Sequence, residues 1–249
     1  MIYNCDSDVG KVRKNNEDYC MGKIIQTDGD FIGIFALADG MGGHKKGEVA
    51  SKIAVENIID FLKENISQSG GIKMDYLDDI IKQGYNYANK KIYEKSLEDS
   101  SCKGMGTTLV VAVIYKNDVV IANVGDSRGY LLHDNDFRKI TKDHSVVEEL
   151  VNANLITEEE ARCHPRRNQI TRAMGAEEII IVDIFREKIK KNDILLLATD
   201  GLTSYVQDES IKTIIEQDKD IKEICKDLIN EANSNSGKDN ISVILSKID

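Results

Sequence analysis

The chain has 249 residues, enough for a full hydrophobic core, and its 41% hydrophobic and 31% charged residues are ordinary for a globular protein. A net charge of −10, from 33 basic and 43 acidic side chains, excludes nucleic-acid binding through the overall field. The same charge would repel a phosphorylated substrate unless local cations reversed its sign.

The first strongly apolar, strand-sized run is 31–38. Helical spacing follows, in which Ala50, Ala54, Ile58 and Leu62 step by four, and Leu77, Ile81, Tyr85, Ala88 and Ile92 form a longer stripe. Strand-like runs then cover 107–115, 119–124 and 128–133, with Asn117-Asp118 and Asp134-Asn135-Asp136 marking hairpins. Two more strand-like runs, 179–185 and 193–198, precede a helical stripe of Ile221, Ile224, Cys225, Leu228, Ile229 and Ala232 and a last strand over 241–245. Strands in the middle and helices early and late favour an α+β fold of antiparallel sheets with segregated helices over βαβ alternation. With no repeat, no linker and Pro165 as the single proline, one domain over 1–249 is expected.

No apolar run approaches the roughly 20 residues of a membrane helix. The opening Met1-Ile2-Tyr3-Asn4-Cys5-Asp6 has neither a basic stretch nor an apolar signal core. Cys5, Cys20, Cys102, Cys163 and Cys225 show no Cys-x-x-Cys spacing and suit free thiols in a reducing cytosol. The expectation is a cytoplasmic protein without membrane or nucleic-acid partners. No tail follows the last strand-like run, so no tether or regulatory domain is expected.

The chemistry is carried by aspartates at strand ends beside glycine. Phe35-Ala36-Leu37-Ala38 runs into Asp39-Gly40-Met41-Gly42-Gly43, and Ala122-Asn123-Val124 into Gly125-Asp126-Ser127. Leu195-Leu196-Leu197-Ala198-Thr199 runs into Asp200-Gly201, and Gly237-Lys238 leads into Asp239-Asn240 before the last strand. One Asp-Gly alone reads as a turn. If the four rims converge, two charges about 4 Å apart cost ~4 kcal/mol at an effective dielectric of ~20, so only a bound cation makes the cluster favourable. Oxygen ligands without a histidine or cysteine set point to Mg²⁺ or Mn²⁺.

Eight blocks in order resemble the type 2C metal-dependent serine/threonine protein phosphatases, in their bacterial form. They are Ser7-Asp8-Val9-Gly10-Lys11-Val12-Arg13-Lys14-Asn15-Asn16-Glu17-Asp18; Asp39-Gly40-Met41-Gly42-Gly43-His44 with Gly47-Glu48 and Ala50-Ser51; Gly104-Met105-Gly106-Thr107-Thr108; and Val124-Gly125-Asp126-Ser127-Arg128. Thr141-Lys142-Asp143-His144-Ser145, Ile170-Thr171-Arg172-Ala173-Met174-Gly175, Thr199-Asp200-Gly201-Leu202 and Asp239-Asn240-Ile241-Ser242-Val243 complete the series. The resemblance spans nearly the whole chain. It implies a four-layer α-β-β-α sandwich, two stacked antiparallel sheets flanked by helices.

The resemblance also implies hydrolysis of phosphoserine and phosphothreonine in proteins by a metal-bridged hydroxide, without a covalent phosphoenzyme. Asp39 would bridge two cations, the Gly40 carbonyl would join the first, and Asp200 and Asp239 would bind the second. Asp126 with Asp200 would form a third, weaker site. Arg13 would grip the phosphate, while Glu17 and Asp18 would hold water in the second shell. A monomer that reverses the work of a serine/threonine kinase on phosphorylated proteins is the expected setting.

Met41 stands where eukaryotic members often carry a histidine after Asp-Gly, so the general acid is open between His44, another histidine and water. His144 reads as structural, with Asp143 or Ser145 capping the helix that follows. The segment 148–168, ending in Arg162-Cys163-His164-Pro165-Arg166-Arg167, resembles the family's flap; its basic cluster reads either as phosphopeptide recognition or as a solvated face. A cysteine phosphatase needs Cys-x5-Arg, and Lys11, Gln26, Thr108, Gln169 and Glu231 occupy those positions. Asp6-Ser7-Asp8-Val9 lacks the threonine of a haloacid-dehalogenase nucleophile motif, and Glu48 stands where a P-loop needs lysine. A binding module that had lost activity would lack a metal aspartate, whereas Asp39, Asp126, Asp200 and Asp239 are all present.

Overall fold

The longest apolar runs are apolar on both faces, so they need cover on both sides, and the fold supplies it with two cores outside the sheets and one between them. The computed structural model describes residues 1–27, 29–42, 46–68 and 74–249. In chain order its elements are β1 (Ile2–Asp8), β2 (Asp18–Thr27), β3 (Asp30–Met41), α1 (Gly47–Gln68), α2 (Met74–Glu98), β4 (Gly106–Thr107), β5 (Leu109–Tyr115), β6 (Asp118–Val124), β7 (Arg128–His133) and β8 (Asp136–Lys139). There follow α3 (Val146–Asn152), α4 (Glu158–Cys163), β9 (Asp183–Lys188), β10 (Ile194–Ala198), α5 (Asp200–Thr203), α6 (Asp208–Ile215), α7 (Ile221–Asn235) and β11 (Ile241–Lys247).

One sheet has the order β1-β11-β10-β7-β8, and the other β2-β3-β5-β6-β9 with β4 alongside β3. Their pairings are antiparallel. Side chains alternate along each strand with period two. Along β3, Ile32, Ile34, Ala36 and Ala38 face α1 and α2, while Phe35 and Leu37 face the other sheet. Along β10, Leu196 and Ala198 join a core with α5, α6 and α7, while Leu195 and Leu197 point between the sheets. The result is the expected α-β-β-α sandwich. Fully burying each such aliphatic side chain contributes about 1.5–3 kcal/mol. The one phenol in the α1–α2 core, Tyr85, is satisfied there, its hydroxyl donating toward the carbonyls of Ala122 (2.8 Å) and Leu109 (3.0 Å).

The three helical stripes lie in α1, α2 and α7, and both hairpins form. The second has Asp134 and Asn135 at φ 50° and 62°, the left-handed pair that a two-residue hairpin requires. Two strand boundaries differ from the sequence reading. The run 107–115 is broken at Thr108, whose N–H and hydroxyl are committed to Asp39 rather than to a strand ladder. The run 179–185 becomes strand only at Asp183, because its partner β6 reaches Asn123 and then turns away. Ile180 and Val182 still pack on the core, while Ile179 and Ile181 remain 80% and 69% exposed. β1 and β2, placed before the first helix, have too little unbroken apolar sequence to announce themselves.

Leu196→Ala removes a fully buried side chain and is expected to cost about 2–5 kcal/mol, read as a lower urea midpoint at unchanged slope. Leu97→Ala, at a site 70% exposed, is expected to stay within about 0.5 kcal/mol of wild type. Equal costs at the two sites would contradict this layering.

Candidate active site

Each of the four strand-end aspartates reaches the same rim of the sandwich by a different route. β2 pairs with β3 so that Asp18 stands opposite Asp39. Asp126 follows β6, Asp200 opens α5 directly after β10, and Asp239 precedes β11. A cavity of about 260 Å³ is lined by Arg13, Glu17, Asp39, Gly40, Asp126, Asp200 and Asp239, together with Met41, Gly42, Thr108, Asn168, Ile170 and Asn240. Asp18 lies beneath it, 7% exposed. His44 lies outside the described residues.

The rim is built by close backbone approach. A Cβ on Gly40 would fall 2.3 Å from Gly47 O and 2.4 Å from Glu17 O, and one on Gly201 would fall 1.8 Å from Asn240 O. Neither glycine has a left-handed φ, so these Asp-Gly pairs serve close packing rather than tight turns. Asp39 is gripped through its backbone. Thr108 N–H (2.9 Å) and Thr107 Oγ1 (2.8 Å) donate to its carbonyl, and its N–H donates to Thr108 Oγ1 (2.9 Å). Thr108 Oγ1 in turn shares a 2.7 Å hydrogen bond with Ser127. Asn240 ties the first loop to the last strand. Its Oδ1 accepts from Glu17 N–H (2.8 Å), and its Nδ2 donates to the carbonyls of Val9 (2.9 Å) and Asn15 (3.0 Å).

His144 holds the Asp126 turn. Its buried Nδ1 accepts from Gly125 N–H (3.1 Å), and its Nε2 lies between Asp183 Oδ2 (3.3 Å) and Arg172 Nη1 (3.1 Å). Burial, more than any neighbour, lowers its pKa, in keeping with a neutral ring. Ser145 caps α3, its Oγ accepting from Glu148 N–H at 3.2 Å. Asp143 instead takes a forked pair from Arg128, at 2.9 and 3.1 Å from Nε and 2.7 Å from Nη2.

The carboxylates strain one another electrostatically. Burial pushes Asp39 well above the usual carboxylate range, with Asp18, Asp200, Asp126 and Asp239 adding to it. Burial, followed among the raising influences by a neighbouring aspartate charge, lifts Asp126 to about 8, Asp18 to about 7 and Asp200 to about 6. Glu17 is raised too, first by burial and then by Glu48. Two positive groups answer this charge. Half-exposed Arg13 places Nη2 2.8 Å from Asp239 Oδ2, and Arg128 lowers Asp126 and Asp200 from behind.

Among the described residues no three acidic or imidazole side chains close into a ready-made cation cage. The donor set nevertheless fits a hard divalent ion. It is all oxygen, and Asp18 Oδ1 and Asp200 Oδ1 are buried without a hydrogen-bond partner among the described residues, an arrangement that is costly unless a cation satisfies them.

Sequence reasoning thus named the residues that line the cleft but missed what supports them. Arg128, Thr108, Ser127 and Asn240 sat inside the matched blocks without roles, whereas His144 was read as structural and Asp143 as one of two candidate caps, of which Ser145 is the cap. Their signal was weak, since polar residues beside Asp-Gly read equally as turn formers.

An acidic cleft with unpartnered carboxylate oxygens and an arginine at its mouth, at one rim of an α-β-β-α sandwich, is the arrangement of a site for a hard cation and an anionic ligand. The comparisons narrow the class. The profile of the family described as protein phosphatase 2C matches residues 11–246. The serine/threonine phosphatase stp of Listeria welshimeri is 40% identical over 239 residues, covering 96% of this chain and 92% of that protein. The crystal structure of serine/threonine phosphatase Stp1 from Staphylococcus aureus superposes with a TM-score of 0.88 at 38% identity, covering 99% of this chain and 94% of that one. The catalytic domain of the serine/threonine protein phosphatase PstP, solved in complex with two manganese ions, has a TM-score of 0.80 at 33% identity, covering 100% and 98%. The chain belongs to the protein phosphatase 2C family and is a protein serine/threonine phosphatase.

Raised carboxyl pKa values fix a sign. The folded, chelator-treated protein holds protons that the unfolded chain, with carboxyls near 4, has already released, so stability falls as pH rises from about 4 and the loss is complete above about 8. Asp126→Asn in metal-free protein is therefore expected to raise the Tm at pH 8 and to differ little from wild type near pH 4. A Tm difference independent of pH would contradict the electrostatic account.

Proposed function

We propose that this chain hydrolyses phosphoserine and phosphothreonine in proteins with Mn²⁺ or Mg²⁺ held at the rim cleft. The observation that carries the reading is the single cavity shared by Arg13, Asp39, Gly40, Asp126, Asp200 and Asp239. Asp39, the Gly40 carbonyl, Asp200 and Asp239 would hold two cations, and Asp126 with Asp200 a third. When bound, the cations activate water and neutralise a phosphate dianion that a protein of charge −10 would otherwise repel.

The chain's own groups do the rest. Arg13 is long, half-exposed and already at the cleft mouth, placed to clamp the phosphate's equatorial oxygens as charge develops on them. Glu17 at the cleft and Asp18 beneath it would hold water around the cations. Histidine is scarce as a proton donor. His144 is committed to Gly125 and Asp183, His133 pairs with Asp193 at 2.7 Å, and His164 Nδ1 accepts from Arg166 N–H. The leaving-group proton falls to water or to His44.

We read the segment 148–168 as a flap over the substrate's path. Glu148, Arg162 and Arg167 line a second cavity of about 300 Å³ that shares Asp126 and Asp200 with the cleft. The proposed setting is a cytoplasmic, single-domain monomer opposing a serine/threonine kinase. Among the described residues no helix is long and apolar enough to cross a membrane.

With a phosphothreonine peptide and saturating Mn²⁺, Asp39→Asn and Asp239→Asn are expected to lose more than about 100-fold in kcat while their circular dichroism is unchanged. Arg13→Ala should mainly raise KM, by about 10- to 100-fold for the loss of a charge-assisted contact. Wild-type rates in both aspartate variants would overturn the metal assignment, and an unchanged KM would remove Arg13 from phosphate binding.

A further inference from the structure

Cys5 and Cys20 play no part in the chemistry above, yet the fold places them together. β1 and β2 belong to different sheets and cross at the edge of the inter-sheet core. Tyr3 OH donates to Gly22 O at 2.7 Å, and the Cys20 thiol lies 4.0 Å from the carbonyl of Asp6, the residue next to Cys5. Going along β1 from Tyr3 to Cys5 moves back along β2 from Gly22 to Cys20, so the two thiols meet in the same antiparallel crossing. Both are half-buried, free, and packed on the inter-sheet cluster that contains Phe35, Leu37 and Ile244. The other thiol near β1, Cys225 of α7, reaches Asn4 O at 3.8 Å and belongs to the helix-side core on the opposite face. The chain between β1 and β2 is the 9–17 loop, which carries Arg13 and Glu17, and the two cysteines stand at its neck.

We propose that Cys5 and Cys20 form an oxidative modification site, in which a hydroperoxide converts the pair to a disulfide that ties the two sheets together and closes the 9–17 loop. The Cys5 thiolate attacks the distal oxygen of the hydroperoxide; the O–O bond breaks, its electrons leave with the alcohol or water, and Cys5 becomes a sulfenic acid. The Cys20 sulfur then attacks the Cys5 sulfur, the S–O bond breaks, and the hydroxyl departs as water with the Cys20 proton. For hydrogen peroxide the balance is two thiols and one peroxide giving one disulfide and two waters. An S–S bond of about 2.05 Å closes a ring over residues 5–20, which restricts the unfolded chain. The covalent step is independent of the phosphatase mechanism, and its test does not use activity.

Reduced, folded protein treated with hydrogen peroxide is read by intact mass, by peptide mapping without reductant, by amide exchange and by Tm. The expected result is a loss of ~2 mass units, one Cys5–Cys20 linked peptide pair, and recovery of all thiols with dithiothreitol. Slower exchange over 9–17 and a higher Tm should accompany it. Cys5→Ser and Cys20→Ala should each abolish the linked pair and the Tm rise, while Cys163→Ser and Cys225→Ser keep both; if Cys5→Ser does not fold, Cys20→Ala carries the comparison. Gains of ~16 or ~32 mass units without a linked pair, a Cys5–Cys225 link, or a dimer joined through Cys163 would overturn the proposal.

Discussion

Buried carboxylates that raise one another's pKa govern this molecule, because a rim that gathers Asp18, Asp39, Asp126, Asp200 and Asp239 must be held together against their repulsion. Very little of that holding is done through the carboxylates themselves. Asp39 is fixed by its carbonyl and N–H through Thr107 and Thr108, Asp126 by the Gly125–His144 bonds on the turn before it, and Asp239 beside the Asn240 hub. Asp18 Oδ1 and Asp200 Oδ1 are left over for a ligand. Such a division is what a cation site needs, since rigid backbone anchorage survives whether or not the charge is compensated.

The sandwich provides the rest of the force. Three apolar layers bury both faces of the central strands, and their free energy offsets the electrostatic cost concentrated at one end. Strand ends suit this use because the side chain that follows the last apolar residue emerges at the rim with its direction fixed by the ladder behind it. Arg13 is half-exposed at the mouth beside Asp239 and Arg128 is paired with Asp143, so the cleft has a positive group at its opening and another for support.

Much of this was legible in the sequence, for reasons particular residues make plain. The 3.6 and 2.0 periodicities of Leu77–Ile92 and of the 193–198 run are strong because those elements are buried on a wide face or on both. Edge strands β1 and β2 were missed since their sequences, such as Ile2-Tyr3-Asn4-Cys5-Asp6-Ser7-Asp8, alternate with polar groups that solvent or the loop accepts. The capping box of α4, Thr157 with Glu160, was readable but stood in a charge-rich stretch that masked it. Which aspartates line the cleft followed from the strand-end pattern and the family blocks. The supporting contacts did not, because the fork from Arg128 to Asp143 and the crossing of Cys5 with Cys20 are set by how sheets stack, and spacing along the chain carries no record of that.

The central claim is that the rim carboxylates hold divalent cations, and direct binding tests it without reference to turnover. Chelator-treated protein titrated with Mn²⁺, with the free ion followed by electron paramagnetic resonance, should sequester at least two ions per chain. Folded Asp39→Asn should weaken both core sites and folded Asp239→Asn should lose one. Mn²⁺ binding unchanged in both variants would contradict the account.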